Sequence, residues 1–288
     1  MTVNVKSFFE ESSSTLCHIV WCSNTKHAAI VDSVLDFDEK SAKTTTKFAE
    51  KILFFVKNKN LNIKYHIETH IHADHLSAAP FLKRKLGGKI VTGADVPKVQ
   101  EIFKPIFNLE EKFKTTGKQF DKLFNDGEEF KLGEVNCKSF STPGHTSSCY
   151  TWLIGDALFV GDTLFAPDHG TARCDFPGGS ANILYSSIQK LYRLPSDTRV
   201  FLCHDYQPGG RELVIETTIG EQKRNNVMIN SKTTKKEFVD NRKNKDSKLS
   251  MPKLIFPSVQ VNIRAGELPP EEKNGIKYLK IPLNQFNN

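Results

Sequence analysis

The sequence predicts an α/β protein in which two β-rich halves pack as two sheets with helices on the outside. Short apolar runs rich in Ile and Val alternate with amphipathic stretches of helical period. The runs fall into two groups, and each group is followed by helical segments. The chain has 288 residues, 38% hydrophobic and 25% charged, so it can bury a sizeable core.

Strands are expected where short apolar runs end at turn signals. The first two runs are separated by Ser23, Asn24 and Thr25, a turn cluster that predicts a hairpin. A Gly-Asp turn at residues 155–156 predicts another hairpin. The predicted strands are residues 16–21, 28–31, 63–67, 89–92, 135–141, 149–154, 157–160 and 200–203.

Helices are expected where apolar residues recur every three or four positions. They are predicted at residues 44–57, 76–86, 96–113 and 181–194. Pro105 interrupts the third, which we expect to act as a lid or an insertion. The fourth is expected to bury a face made of Ile183, Leu184, Ile188 and Leu191.

The chain beyond Gly210 predicts a helix or two, then an apolar stretch at 254–262 and a Pro-Pro break at 269–270. This tail is expected to be a closing appendage from about residue 210. Residues 1–288 are therefore predicted to form a single domain.

The composition indicates which cellular location and which binding partners to expect. The net charge is +7, with much of the excess at residues 232–253, where a solvated helix face is favoured over a nucleic-acid patch. Six scattered cysteines without a Cys-x-x-Cys pair favour reduced thiols. Residues 1–14 do not resemble a targeting leader, and no apolar run reaches membrane-spanning length. We therefore expect a cytoplasmic protein that binds neither nucleic acid nor membrane.

Histidine and aspartate residues collect directly after the predicted strands. Neutral imidazole and carboxylate groups hold divalent metals at neutral pH. In an extended segment residues i and i+2 face the same side, so His70 and His72 can share one target. Taken singly, each residue could be an ordinary surface, capping or turn residue. Together they predict a metal site built from His70, His72, Asp74, His75, His145, Asp162 and His204.

Four motifs carry these residues. They are THIHADH at 69–75, PGHT at 143–146, GDTLF at 161–165 and CHDY at 203–206. Over at least residues 16–206 the chain resembles the metallo-β-lactamase superfamily. The resemblance implies an αββα sandwich, in which two mixed β-sheets pack face to face with helices outside and a metal lies at the sheet edges.

Three further stretches narrow the resemblance. They are TARCDF at 171–176, HDY at 204–206 and VNIRAG at 261–266. They look like the persulfide dioxygenases, also called sulfur dioxygenases, and within them the bacterial branch related to β-lactamases. The resemblance implies one Fe(II) per chain on His70, His145 and Asp162, a set with open positions for oxygen chemistry. Four more residues would support those ligands or be left from a second metal site: His72, Asp74, His75 and His204.

The same resemblance implies a reaction. It is the oxidation of glutathione persulfide, or a similar small persulfide, by O2 to sulfite and thiol, as in sulfide detoxification. Arg173 and Arg264 would pair with substrate carboxylates, and Tyr206 would donate a hydrogen bond near the iron. Arg173 and Tyr206 are thus the catalytic candidates. Alternatively, Arg173 pairs with Asp175 or Asp162, and Tyr206 serves packing.

Other activities stay open. A binuclear zinc thioester hydrolase resembling hydroxyacylglutathione hydrolase (glyoxalase II) would use all seven residues, with Asp162 bridging two Zn. The context of Arg173 and Arg264 favours the dioxygenase. A β-lactamase, a nuclease and a non-catalytic member of the superfamily are weaker alternatives.

Two departures from the family pattern qualify the resemblance. Ala265 stands where some relatives carry cysteine, which puts thiol-based regulation there in doubt. Residues 96–120 are longer than their equivalent in the compact animal-type enzymes, and if they cover the site the thiol carrier need not be glutathione. The oligomeric state is left open, a homodimer included.

Overall fold

Two six-stranded sheets organise the computed structural model, which describes residues 2–285. The strands are β1 (Asn4–Glu10), β2 (Thr15–Trp21), β3 (His27–Val31), β4 (Val34–Asp38), β5 (Lys43–Thr45), β6 (Asn62–Ile67), β7 (Leu76–Ser77), β8 (Lys89–Gly93), β9 (Lys122–Phe124), β10 (Glu129–Leu132), β11 (Val135–Ser141), β12 (Tyr150–Ile154), β13 (Ala157–Phe159), β14 (Arg199–Phe201) and β15 (Glu216–Thr218). The helices are α1 (Lys47–Asn58), α2 (Ala79–Leu86), α3 (Val96–Ile106), α4 (Ala181–Leu191), α5 (Ile219–Asn225), α6 (Lys235–Asp246) and α7 (Ile255–Asn262).

Both large sheets are mixed. The first has the order β1-β2-β3-β6-β8-β9, antiparallel as far as β3 and parallel beyond it. The second has the order β10-β11-β12-β13-β14-β15 and is antiparallel except between β13 and β14. A small antiparallel sheet of β5, β4 and β7 stands beside them.

Alternate residues of the central strands face different layers, as the strand period requires. On β2, Ile19 packs with the outer helix α1, whereas Val20 joins a cluster between the sheets that contains Trp152. On β14, Val200 packs with Leu184 of α4 on the opposite outer face. These layers form the αββα sandwich, so the expected fold is confirmed.

The predicted strands are confirmed to within two residues of their expected ends. The predicted helices at 44–57 and 76–86 are wrong at their beginnings, because Lys43–Thr45 and Leu76–Ser77 are strands that pair with β4. The third helix stops at Ile106 instead of reaching residue 113, one residue after Pro105, which lacks the N–H that a helix needs. The strands that were not predicted are β1, β4, β5, β7, β9, β10 and β15. Among them, β1 is mostly polar and lies at a sheet edge.

Helix α4 buries only part of the face expected for it. Ser180 caps it by accepting a hydrogen bond from the Ile183 backbone N–H. Leu184, Ile188 and Leu191 are fully buried, but Ile183 is 47% exposed. One residue turns a helix by about 100°, which carries Ile183 off the buried stripe and into solvent.

The chain beyond residue 210 contributes β15 to the second sheet and also forms α5, α6 and α7. Its description as an appendage of a single domain stays a prediction. All six cysteines are buried and free. Within residues 2–285, helices are all too short or too polar to cross a membrane.

Candidate metal centre

Loops at one end of the two sheets bring all seven predicted residues together. The first four follow β6, His145 follows β11, Asp162 lies in a short 3₁₀ turn after β13, and His204 follows β14. Groups of their ligand atoms lie within 4.8 Å of one another, and the residues are buried except for partly exposed Asp74. A rigid scaffold thus aims loop side chains at a single region.

One group contains His70, His145 and Asp162. The Asp162 Oδ2 atom lies 3.9 Å from His70 Nε2 and 3.5 Å from His145 Nε2. Two ligands of the same metal, each about 2.1 Å from it, lie roughly 3.0–3.4 Å apart. These three atoms are therefore spaced for a shared ion after a small inward shift.

A second group lies on the other side of Asp162. His204 Nε2 is 3.4 Å from Asp162 Oδ1 and 3.4 Å from Asp74 Oδ2. His75 belongs to this side through its cluster with His72 and Asp74. Asp162 thus turns one oxygen to each group, which is the arrangement that a carboxylate bridging two metals would need.

Each of the five histidines has one ring nitrogen engaged by the protein. His145 Nδ1 donates to the Arg173 carbonyl (2.7 Å), His75 Nδ1 to Leu76 (3.2 Å) and His204 Nδ1 to Ser14 (3.2 Å). His70 Nδ1 bonds to the Thr69 hydroxyl at 3.0 Å. His72 is reversed, since its Nε2 donates to Asp32. These contacts select the tautomers that leave the other nitrogen free to bind a metal.

The free atoms fit a cation. Six buried atoms of the centre lack any hydrogen-bond partner within the described residues. They are His70 Nε2, His72 Nδ1, His75 Nε2, His204 Nε2, Asp74 Oδ2 and Asp162 Oδ1. An unpartnered buried polar atom costs about 1–3 kcal/mol, and a protein tolerates so many together where an ion satisfies them.

Two acidic residues that the sequence analysis did not assign surround His72. Asp32 accepts hydrogen bonds from His72 Nε2 at 3.0 Å and from the Thr69 N–H and hydroxyl at 2.8 Å each. Burial opposes ionisation of His72, but Asp32 and Glu68 raise its pKa to about 9. Burial raises the pKa of Glu68 itself to about 8. The only sequence signal for Asp32 is its place directly after a strand at the same sheet end.

The pKa values of the other histidines are shifted in different directions. Burial and the neighbouring histidines hold the pKa of His70 well below its usual range. Burial and His72 lower the pKa of His75 to about 4. Although burial opposes it, Asp74 and Asp162 raise the pKa of His204. Neutral His70 and His75 offer lone pairs without first losing a proton.

A cavity of about 730 Å³ opens onto the candidate metal ligands. Its floor includes Asp74, His145 and Asp162, and its walls include Phe165, Phe176 and Leu254. Lys40, Lys245 and Lys253 also line it. The volume suits a small-molecule site. Of the described residues, none at positions 96–120 lines the cavity, so this segment is not a lid here.

Arg173 and Tyr206 line this cavity, whereas Arg264 does not. Arg173 donates to both oxygens of Asp175 at 2.6 Å and to the Ser250 carbonyl at 2.6 Å, so the ion-pair alternative holds for Asp175. Arg264 pairs with Glu110 through two hydrogen bonds of 2.7 and 2.8 Å. Its expected substrate contact therefore has no support in the geometry.

Tyr206 is 47% exposed and stacks on the ring of His204, with 5.7 Å between ring centroids. Although much of the residue is exposed, desolvation of the phenol and the charges of Asp74 and Asp162 raise the pKa of Tyr206 above its usual range. The phenol therefore stays protonated and able to donate a hydrogen bond. Tyr206 also has a packing role, as the alternative predicted, because its ring centroid lies 5.1 Å from that of His169.

The chain is similar to known proteins in both sequence and structure. A family model described as "Metallo-beta-lactamase superfamily" matches residues 13–204. A probable metallo-hydrolase of Burkholderia pseudomallei is 45% identical over 98% of this chain and 99% of its own. Glyoxylase B2 of Dictyostelium discoideum is 48% identical over 97% of each chain.

More distant similarity links the chain to proteins named ETHE1. The human mitochondrial persulfide dioxygenase ETHE1 is 27% identical over 70% of this chain and 68% of its own. The crystal structure of ETHE1 from Myxococcus xanthus matches with a TM-score of 0.71 and 28% identity, over 93% of this chain and 100% of that chain.

Proposed function

Because this chain belongs to the metallo-beta-lactamase superfamily, we propose that it is an iron-dependent persulfide dioxygenase. Its substrate would be glutathione persulfide or a similar small persulfide, oxidised with O2 to sulfite and the thiol. The family match and the buried His/Asp groups make the chain a metalloenzyme of this superfamily.

The observation that carries the proposal is the group formed by His70, His145 and Asp162. Two histidines and one carboxylate leave several coordination positions open, a set typical of non-haem Fe(II) oxygenases. Fe(II) bound there would supply the redox chemistry through which O2 reacts with a persulfide sulfur. The similarity to the human and Myxococcus ETHE1 proteins supports this assignment.

The cavity supports a small acidic thiol as the substrate. Its apolar walls exclude water around the sulfur, while its lysines can meet carboxylates. Lys40 and Lys245 have no carboxylate partner among the described residues, whereas Lys253 already pairs with Glu39 at 2.8 Å. Lys40 and Lys245 are therefore the cations available to a substrate carboxylate. Tyr206 is placed to donate a hydrogen bond beside the metal-ligating groups.

A second candidate is a binuclear metal hydrolase acting on a glutathione thioester. One specific observation favours it, since Asp162 turns an oxygen to each of the two groups. Relatives named metallo-hydrolase and glyoxylase are also more similar to this chain than the ETHE1 proteins are.

Metal content and substrate turnover separate the two candidates. The protein would be purified anaerobically, its metals measured, and oxygen uptake followed with glutathione persulfide. Roughly one iron per chain with persulfide-dependent uptake and sulfite release is expected. Two zincs per chain with hydrolysis of S-lactoylglutathione would contradict the proposal.

Ligand variants sharpen the test. Asp162→Ala should abolish iron binding, whereas His204→Ala should leave the iron bound, because His204 faces the other group. His27→Ala, a partly exposed histidine at the start of β3, is the control and should behave as the wild type. Equal metal loss in the Asp162 and His204 variants would favour the binuclear hydrolase.

A further inference from the structure

Two loops of the metal centre are held by buried side chains from the C-terminal segment, which we define as residues 235–262. This segment contains α6 and α7. It lies outside residues 13–204, the part of the chain that the family model matches. Most basic residues of α6 are exposed, as a solvated helix face predicts, but Arg242 is only 1% exposed.

The first contact joins α6 to the loop that orients His145. Arg242 Nε donates to Asp246 Oδ1 at 2.9 Å, and its Nη1 donates to the Thr171 carbonyl at 2.9 Å. Asp246 Oδ2 accepts from the Cys174 backbone N–H at 3.0 Å. The Arg173 carbonyl lies between these two anchors and accepts from His145 Nδ1. A buried ion pair on α6 therefore fixes the carbonyl that selects the tautomer of His145.

The second contact joins α7 to the loop after β6. Asn262 Nδ2 donates to the carbonyls of His72 (2.9 Å) and His75 (2.8 Å). Its Oδ1 accepts from the Ser77 N–H at 2.9 Å. The buried amide thus uses both its donors and its acceptor to hold the backbone of the loop that carries four of the seven predicted residues.

We infer that Arg242, Asp246 and Asn262 are positioning residues, through which the C-terminal segment sets the metal affinity of the centre. Replacing a group that orients a metal ligand from behind typically weakens metal binding about 10–100-fold. A buried ion pair adds little net stability, because desolvation offsets its attraction. Such a pair is better explained by the backbone groups that it holds in place. The inference rests on the metal site of the proposed function and applies to iron and zinc alike.

Matched variants of α6 test the first contact. Metal-free protein would be titrated with Zn²⁺ against a chromophoric chelator, and anaerobically with Fe²⁺. Asp246→Asn should weaken binding about 10–100-fold. Asp240→Asn is the control, because Asp240 forms an i,i+4 pair with Lys236 on the same helix but is 59% exposed and touches no metal loop. It should bind metal as the wild type does.

Matched variants of α7 test the second contact. Asn262→Ala should weaken metal binding by a similar factor. Gln260→Ala is its control, since Gln260 is equally buried on α7 but donates to the carbonyls of Phe256 and Lys280. Loss of Gln260 should loosen the tail and leave metal affinity unchanged.

Urea unfolding of the metal-free variants separates positioning from stability. A purely structural role would lower the unfolding midpoint while the folded fraction bound metal with wild-type affinity, and that result would overturn the inference. If Asp246→Asn does not fold, the comparison of Asn262→Ala with Gln260→Ala decides alone. A wild-type protein that binds neither metal would instead contradict the proposed function.

Discussion

His72 Nε2 donates a hydrogen bond to the carboxylate of Asp32 across 3.0 Å, and both side chains are buried. Asp32 holds the ring in the orientation that leaves Nδ1 free toward the centre. The same carboxylate accepts from both donors of Thr69. One acid at a strand end therefore orders the beginning of the loop that carries four of the seven candidate ligands.

Replacing this acid should weaken the metal centre without unfolding the protein. Asp32 has a left-handed backbone with φ 52°, a conformation that asparagine tolerates. Asp32→Asn keeps the shape, but its NH2 group replaces Oδ2, which accepts from the Thr69 hydroxyl, and the negative charge beside His72 is lost. Metal affinity, measured by chelator competition, should fall about 10–100-fold. Asp156→Asn, a carboxylate beside Arg199 outside the centre, should change nothing, and equal losses would refute this account.

Gly144 precedes His145 and lies against the backbone of α4. A Cβ at this position would stand 2.4 Å from Leu184 Cα, which no side-chain rotation relieves. Gly144→Ala should lower the free energy of unfolding by about 1–3 kcal/mol and also weaken metal binding, because the His145 loop must move.

Gly87→Ala is the control for Gly144. Its φ is also positive, at 71°, yet nothing lies within 4 Å of an added Cβ. Gly87→Ala should lower the free energy of unfolding through backbone strain alone, and its metal affinity should equal that of the wild type. Unaltered metal binding in Gly144→Ala would mean that the close approach does not place His145.

Helix α4 offers a paired test of its packing. Ile188→Ala should cost about 2–5 kcal/mol in urea unfolding, because Ile188 is fully buried against the second sheet. Ile183→Ala on the exposed face should stay within about 0.5 kcal/mol of the wild type. Similar losses in the two variants would contradict the orientation of this helix.

Acid should destabilise the metal-free protein between pH 6.5 and 4. Burial lowers the pKa of His66 to about 4, although its Nε2 donates to the Gly87 carbonyl. Above pH 6.5 the ring is neutral in both states; below it the unfolded chain takes up the proton first, so stability falls with pH. At 1.36 kcal/mol per pKa unit, His66 alone should lower the free energy of unfolding by about 3 kcal/mol across this pH range. Urea titrations at pH 7 and pH 5 give the free energy of unfolding at each pH, and this free energy should fall less in His66→Gln than in the wild type. An equal fall in the two proteins would be evidence against the assignment to His66.

The candidate metal ligands could be located from the sequence, because each is a typical ligand type beside a recognisable strand end. His70, His145 and His204 can be identified from their residue type and from the short motifs around them. Arg242 and Asn262 do not, since the contacts that matter join residues 71 and 190 positions apart. Only packing brings those pairs together. The pairing of Leu76–Ser77 with β4 could not be predicted for the same reason. A helical pattern is visible within a few consecutive residues, whereas strand pairing depends on residues far apart in the sequence.

The six buried cysteines bear on how the proposed reaction can be followed. A persulfide passes its outer sulfur to any accessible thiolate, and reducing agents destroy it. Burial raises the pKa of Cys17, Cys149 and Cys203, so these thiols stay protonated and shielded. Cys22 differs, because a hydrogen bond with Thr25 lowers its pKa to about 7. Any consumption of a persulfide by the protein's own sulfur is therefore expected at Cys22, and Cys22→Ser is the background in which turnover at the proposed metal centre should be followed without added reductant.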